Sequence, residues 1–249
     1  MKSFAKLNIF LKIVGTRGNY HEINSRFILL NDIYDEIDFK LSDKFYIESN
    51  YDIDDNIVLK AKKELEKSGY KNELDEYFKN HKIVLKKNIP MGGGMGGGSS
   101  NAATFLKLAN EELNLNIKTE KLAEIASKIG SDVPFFVYNY PSANVSGVGE
   151  NVVYFDDEIP QIDLIMPNIS CETPKVYREF RDKFMQNIDI KQADNFMKTK
   201  SNELLGVYKN YELNDLFLPC LSLYPKMKDF DDKFLSGSGS TMFSLKGAK

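Results

Sequence analysis

Between Lys86 and Asn101 the chain reads Lys-Lys-Asn-Ile-Pro-Met-Gly-Gly-Gly-Met-Gly-Gly-Gly-Ser-Ser-Asn, six glycines around one methionine with two hydroxyls directly behind them. Backbone without Cβ groups lets successive N–H groups converge on an anion. Where such a loop opens a helix it makes a phosphate cradle, because the first amides of the helix are unpaired and its dipole favours negative charge. Two further groups have chemistry to offer. Lys6 lies on an alternating apolar stretch and Asp132 beside an apolar run. If the two meet, the ammonium keeps the carboxylate ionised and itself stabilises charge on an attacking oxygen or a terminal phosphate. Read alone, an Asp such as Asp132 is more often a cap or turn residue, and Lys6 equally suits a solvent-facing strand position.

The elements around these residues must hold them in place. Residues 83–85 form an apolar strand-like run before the loop, and Ala102, Leu106, Ala109 and Leu113 recur at helical spacing behind it, with Ser99, Ser100 and Asn101 suited to the N-cap. A loop clamped in this way is no flexible linker. It is not a Walker loop either, since Ser99 stands where that motif needs lysine, and its literal match to G-x-G-x-x-G carries little weight among so many glycines.

Along residues 5–13, Ala5, Leu7, Ile9, Leu11 and Ile13 alternate with Lys6, Asn8, Phe10 and Lys12, so the strand aims Lys6 and Asn8 the same way. Residues 15–22 read as a loop, 27–33 as an apolar run and 35–50 as a strand. The pattern predicts a helix over 56–68 ending before Gly69, a polar and aromatic surface insertion over 73–80, and a helix over 119–129 closed by Gly130. Pro134 bars Val133 from continuing a helix, which predicts a strand there and puts Asp132 at a helix-to-strand junction. Two short strands are expected around Gly147 and Gly149. The acidic stretch 156–160 is the expected domain boundary. Beyond it come a strand over 162–166, helices over 174–186, 192–205 and 214–223, and a second Gly/Ser turn, 235–241, running into a strand.

Composition narrows the classes. A formal net charge of −3 spread over 249 residues offers no basic face for nucleic acid. No run of 18 apolar residues is present, so no membrane span is expected. Lys6, Asn8 and Lys12 interrupt the first apolar segment and spoil it as a signal-peptide core. Two cysteines far apart, Cys171 and Cys220, point to a reducing cytoplasm, and two histidines, at 21 and 81, exclude a H-E-x-x-H zinc site.

Pro90 to Ser100 followed by Asn-Ala-Ala resembles the central ATP-binding motif of the galacto-, homoserine, mevalonate and phosphomevalonate (GHMP) kinase family, and its doubled triple glycine is most similar to the diphosphocytidyl methylerythritol kinases within that family. Three separated blocks resemble the same branch: Ala5 to Lys12 with Gly15 and Tyr20-His21-Glu22, then Gly130 to Phe136, then Ser236 to Phe243, whose glycines in the family pack close to the phosphate loop. The resemblance implies an α+β, two-domain GHMP kinase fold, with a ribosomal protein S5 domain 2-like N-terminal domain (1–158) and a ferredoxin-like C-terminal domain (159–249). It implies transfer of phosphate from ATP, with Mg²⁺, to the 2-hydroxyl of a cytidyl diphosphate sugar alcohol in non-mevalonate isoprenoid synthesis. Small molecules are then the partners, not nucleic acid or membrane.

Carried over position by position, the resemblance implies Lys6 and Asp132 as the catalytic pair and Asn8 as a partner near the acceptor hydroxyl. His21 falls where the family reads the cytosine edge, with Tyr20 packing and Tyr177 stacking beside it. Asn56, Ile57 and Lys87 fall on the adenine pocket. Pro90, Met91, Gly92, Gly93, Gly94, Met95, Gly96, Gly97, Gly98, Ser99 and Ser100 fall on the phosphate loop. No metal ligand set is assigned. Gly18-Asn19 replaces the family's usual Asp-Gly before Tyr-His, and Cys171-Glu172 falls in a stretch that is more often Ser/Thr-rich. Two other readings stand beside this one. Another GHMP kinase with an aliphatic substrate would have no use for the aromatic pair, and a silent binding protein would have no use for both Lys6 and Asp132.

Overall fold

The computed structural model of the chain describes residues 1–51 and 56–247. It forms two compact units of interleaved segments, one from residues 1–5, 30–90 and 96–139, the other from 6–29, 91–95 and 140–249. This division cuts the glycine loop and both long N-terminal strands, and so follows a different line from the 158/159 boundary. The final two residues of the expected C-terminal domain lie outside the described residues.

The first strands run further than local alternation implies. β1 (Lys2–Arg17) and β2 (Tyr20–Leu41) pair across a tight turn at Gly18 and Asn19, with Gly18 at φ 59°. Residues 15–22, expected as a loop, are therefore strand ends and their turn, with glycine at a positive φ that such hairpin turns demand.

In the first unit the distal part of β2 pairs antiparallel with β4 (His81–Lys86), Ile37 opposite Leu85 and Phe39 opposite Ile83, and β4 pairs in parallel with β3 (Ile47–Ser49). The helices are α1 (Ile57–Leu65), α2 (Lys71–Tyr77), α3 (Gly97–Glu112), α4 (Thr119–Ser127) and α5 (Val133–Tyr138). Helix α3 is the central one: Ala102, Phe105, Leu106 and Ala109 are buried, and α1 and α5 both pack on it. The expected insertion at 73–80 is mostly α2, which buries Leu74 and leads to a buried Phe78 edge-on to Phe39.

Two expected features are corrected here. Ser99, Ser100 and Asn101 are not the cap of α3 but part of it. The N-cap is Gly96, at φ 70°, a left-handed conformation that favours glycine. The predicted strand after Asp132 is helix α5, with Asp132 as its N-cap residue. Pro134 does bar an upstream helix, but in a first turn its missing N–H costs nothing and its fixed φ starts a new one.

In the second unit the proximal part of β2 pairs antiparallel with β5 (Ser142–Gly147), Phe27 opposite Ala143, and β5 with β6 (Asn151–Tyr154), the two short strands expected around the glycines. There follow β7 (Ile162–Ile165), α6 (Thr173–Lys183), α7 (Ile190–Phe196), α8 (Ser201–Val207), α9 (Asn210–Leu213), α10 (Phe217–Leu223), β8 (Phe234–Leu235) and β9 (Met242–Leu245). The small sheet has the order β7-β9-β8. Leu11, Ile13, Ile23, Phe180, Phe217 and Met242 share one apolar core.

The helices predicted over 192–205 and 214–223 each differ from expectation. The first breaks between α7 and α8, where the buried Arg26 guanidinium donates to the carbonyls of Phe196, Met197 and Thr199 at 3.1–3.2 Å. The second is found as α10 but starts three residues later, because Asp215 N donates to Leu11 O at 2.9 Å and ties the chain between α9 and α10 to β1. Among the described residues no helix is long and apolar enough to cross a membrane.

Candidate active site

In the second unit the glycine loop and the C-terminal Gly/Ser turn meet at backbone distance. Thr241 N donates to Gly93 O at 3.2 Å and Lys6 N donates to Met95 O at 3.0 Å, so the loop is hooked to both β1 and the turn. Gly94, at φ 74°, lies so close that an added Cβ would sit 3.0 Å from Gly239 O and 3.1 Å from Ser236 O. Only a residue without a side chain fits that approach. The turn at 235–241, expected next to the phosphate loop, is found there.

Lys6 and Asn8 project from β1 into this region, and both are buried. Their proton order follows from one fixed end. Ser25 Oγ donates to the carbonyl of Phe10, so its oxygen accepts from Asn8 Nδ2 at 3.0 Å, which turns Asn8 Oδ1 toward Lys6 Nζ at 2.6 Å. Asn8 N also donates to Ser236 Oγ at 3.1 Å. The ammonium stands 4.6 Å above the Phe27 ring, within cation–π range. A Cβ on Gly237 would come within 3.3 Å of Asn8 Oδ1 and 3.9 Å of Lys6 Nζ, so the turn passes directly over the pair.

At the start of β2, His21 is buried with its ring 5.1 Å from that of Tyr177, tilted by 34°, and edge-on to Phe180 at 5.9 Å. Its Nε2 is buried without a hydrogen-bond partner in the protein. Burial, and next to it the charge of Arg181, hold the imidazole below its ordinary range and therefore neutral at pH 7. Arg181 Nη2 in turn donates to Asn19 O at 2.8 Å and ties α6 to the hairpin turn. Tyr20, next in sequence, is exposed.

The first unit holds the remaining residues. The Lys87 ammonium pairs with Asp35 and donates to Asn101 Oδ1 at 2.8 Å, all three groups being buried. Asn101 Nδ2 reaches Asp35 Oδ2 at 2.8 Å and Ser3 Oγ at 2.9 Å, and Ser3 donates to Ser100 Oγ at 2.8 Å. Ser99, in the first turn of α3, is only half-buried. Asn56 caps α1, its Oδ1 accepting from Val58 N at 3.0 Å. It also lines an open pocket of about 510 Å³ with Phe45, Tyr46, Ile47, Tyr51 and Leu59. Ile57 opens α1 and lies 3.6 Å from where a Cβ on Gly98 would be. Asp132 belongs to this unit and Lys6 to the other.

Reading the sequence missed Ser25, Asp35 and Arg181, and took Asn101 only for a cap. Asp35 left a signal: it falls in the apolar register of Ile33, Ile37 and Phe39, where a charge is out of place unless something pairs with it. Ser25 and Arg181 left none, since their partners Phe10 and Asn19 are set by the fold.

The family model described as GHMP kinases N terminal domain matches residues 56–140. A 4-diphosphocytidyl-2-C-methyl-D-erythritol kinase from Campylobacter jejuni is 47% identical over 254 residues, covering 98% of this chain and 99% of the relative. One of the same name from Sulfurimonas denitrificans is 40% identical, covering 98% of this chain and 96% of its own. The crystal structure of a 4-(cytidine 5'-diphospho)-2C-methyl-D-erythritol kinase superposes with a TM-score of 0.76 at 24% identity, over 100% of this chain and 90% of that one. The α+β fold that the family resemblance implies is the fold found.

Proposed function

Because the chain belongs to the 4-diphosphocytidyl-2-C-methyl-D-erythritol kinases, a branch of the GHMP kinases, we infer that it moves the terminal phosphoryl group of ATP onto the 2-hydroxyl of 4-diphosphocytidyl-2-C-methyl-D-erythritol in the non-mevalonate route to isoprenoid precursors. One observation carries the choice of substrate within the wider family. His21 Nε2 is buried, neutral and unpartnered beside the Tyr177 ring, a hydrogen-bonding atom and an aromatic face that suit a heteroaromatic base and serve no purpose for an aliphatic acid.

Phosphoryl transfer asks the protein for position and charge more than for covalent chemistry. The amides of Gly92 to Gly98, with the first turn of α3, cradle the phosphates, and Pro90, Met91 and Met95 shape the loop. Adenine is assigned to the pocket beside Asn56 and Ile57, with the Lys87 segment behind it. Mg²⁺ suits a site made mostly of phosphate oxygens, which needs few protein ligands. Ser100 Oγ is engaged by Ser3, leaving the Ser99 hydroxyl as the fitting donor, and the ion would neutralise phosphate charge.

Asp132 takes the proton of the 2-hydroxyl, and Lys6, oriented by Asn8, stabilises charge on the transferring group. Tyr177 stacks the cytosine, His21 reads its edge, and Tyr20 packs against it. Two free cysteines suit a cytoplasmic enzyme. The domain division at 158/159 is retained as a proposal in the family's sense. A coupled assay for ADP release tests the reading: turnover is expected with the cytidyl substrate and none with mevalonate. Release with mevalonate, or with neither, overturns it.

A further inference from the structure

The glycine loop carries six glycines, the residues that lose the most conformational freedom on folding, yet a phosphate cradle works only if its amides already point inward. Something must hold the two ends of such a loop. In the first unit that something is a single carboxylate.

Asp35 is fully buried. Its Oδ1 accepts from the main-chain N–H groups of Asn88, at 2.6 Å, and Ile89, at 2.8 Å, immediately before the loop. Its Oδ2 accepts from Lys87 Nζ and from Asn101 Nδ2, at 2.8 Å, the latter immediately behind the loop on α3. A carboxylate has about four lone-pair sites. All are taken, and every donor belongs to a flank of the same loop. The second flank is held twice, since Asn101 also donates to Ser3 and Ser3 to Ser100. Lys87 cannot stray, because Asn50 accepts from its N–H at 2.7 Å and donates to its carbonyl at 3.0 Å. Its ammonium lies 3.4 Å from where a Cβ on Gly97 would be, under the first turn of α3.

Stability alone does not account for this arrangement. Burying an ion pair costs desolvation that an apolar pair of the same volume would avoid. What an apolar pair lacks is the means to grip two successive amides upstream and a side-chain amide downstream at one point. We propose that Asp35, with Lys87 and Asn101, is the positioning device for the nucleotide: it fixes both flanks of the glycine loop and so sets affinity for the triphosphate without touching it. The inference rests on reading the loop as the ATP cradle.

The test uses the full chain and AMP-PNP as probe, with binding by calorimetry and steady-state kinetics alongside. Asp35→Asn and Lys87→Met each weaken AMP-PNP binding by about tenfold or more and raise KM for ATP in step, while KM for the cytidyl substrate stays where it was. A merely structural loss lowers the amount of active enzyme and leaves both KM values alone. The double variant Asp35→Asn/Lys87→Met recovers most of the affinity, because an amide still accepts from the two main-chain N–H groups and no charge is left buried alone. Unchanged AMP-PNP affinity in the single variants, equal losses for both substrates, or no recovery in the double variant overturns the proposal. If Asp35→Asn does not fold, Ser3→Ala, which removes only the bridge between Asn101 and Ser100, takes its place: a rise of several-fold in KM for ATP alone is expected, and no rise overturns the proposal. A wild-type chain that binds no AMP-PNP overturns the kinase reading and this inference with it, whereas wild-type binding with unaltered variants overturns this inference only.

Discussion

Lys6 and Lys12 stand six residues apart on one side of one strand, and both are buried, yet their surroundings differ in kind. Lys12 pairs with Asp215 and donates to Glu212 O at 3.1 Å, while the second oxygen of Asp215 takes Ile13 N at 2.7 Å. That charge is consumed in tying β1 to the chain between α9 and α10. Lys6 meets the neutral amide of Asn8 and the face of Phe27, with the Gly237 turn above it. Asn8 orients the ammonium. On the proposed mechanism the strand thus carries the same residue twice at the same phase, once as architecture and once as a reagent.

The sharpest way to break this contrast is to remove the reagents. Asp132→Ala is expected to lower kcat by about two to four orders of magnitude, the usual worth of a general base. Lys6→Met should follow with a loss of about two to three orders, typical of a lost electrostatic stabiliser. A turnover rate near that of the wild type in either variant, measured by single-turnover phosphate transfer, would sink the assignment.

Lys12→Met should do the opposite. It strands a buried carboxylate, so calorimetric unfolding should show a loss of about 3–5 kcal/mol, with KM values unchanged in the folded fraction. Burial already pushes the Asp215 carboxyl up, with Lys12 pulling against it. A carboxyl whose folded pKa is raised binds more protons folded than unfolded, so stability falls as pH rises through that window. The melting temperature of the variant should therefore drop as pH climbs above the ordinary carboxylate value of 3.8. A pH-independent melting temperature would show that Asp215 finds another partner. Tyr177→Ala comes next in size: a loss of about 1–3 kcal/mol in binding the cytidyl substrate, read as a rise in its KM, with KM for ATP unmoved.

How much of this was legible depends on how local the cause is. The glycine loop, the alternation that aims Lys6 and Asn8 together and the two short strands around Gly147 all follow from neighbours in sequence, and all were read. The break between α7 and α8 was not, because its cause is Arg26, more than 160 positions upstream, drawing on carbonyls that would otherwise serve a helix. Helix α5 was missed for a different reason. Proline in a first turn and proline after a helix end leave the same letters, and only the direction in which the chain continues tells them apart. Asp35 lies between these cases: its place in an apolar register was visible, but the four donors that explain it were not.

The smallest effect concerns His21. Its imidazole is held below 6.5 chiefly by burial and secondarily by Arg181, so the folded state resists protonation that the unfolded state accepts. A base with a depressed folded pKa contributes stability that is fully present above 6.5 and lost as pH falls below it. The same protonation should disturb the base edge that Nε2 is assigned to read. KM for the cytidyl substrate is therefore expected to stay level from about pH 8 down to about pH 6.5 and to rise only below that. Arg181→Gln removes the secondary cause and, by freeing Asn19, loosens the turn that carries His21. The rise in KM should then begin at a higher pH, whereas the pH dependence of KM for ATP should not move. An onset at the same pH in the variant would show that burial alone sets the imidazole and that Arg181 acts only as a strut for the hairpin.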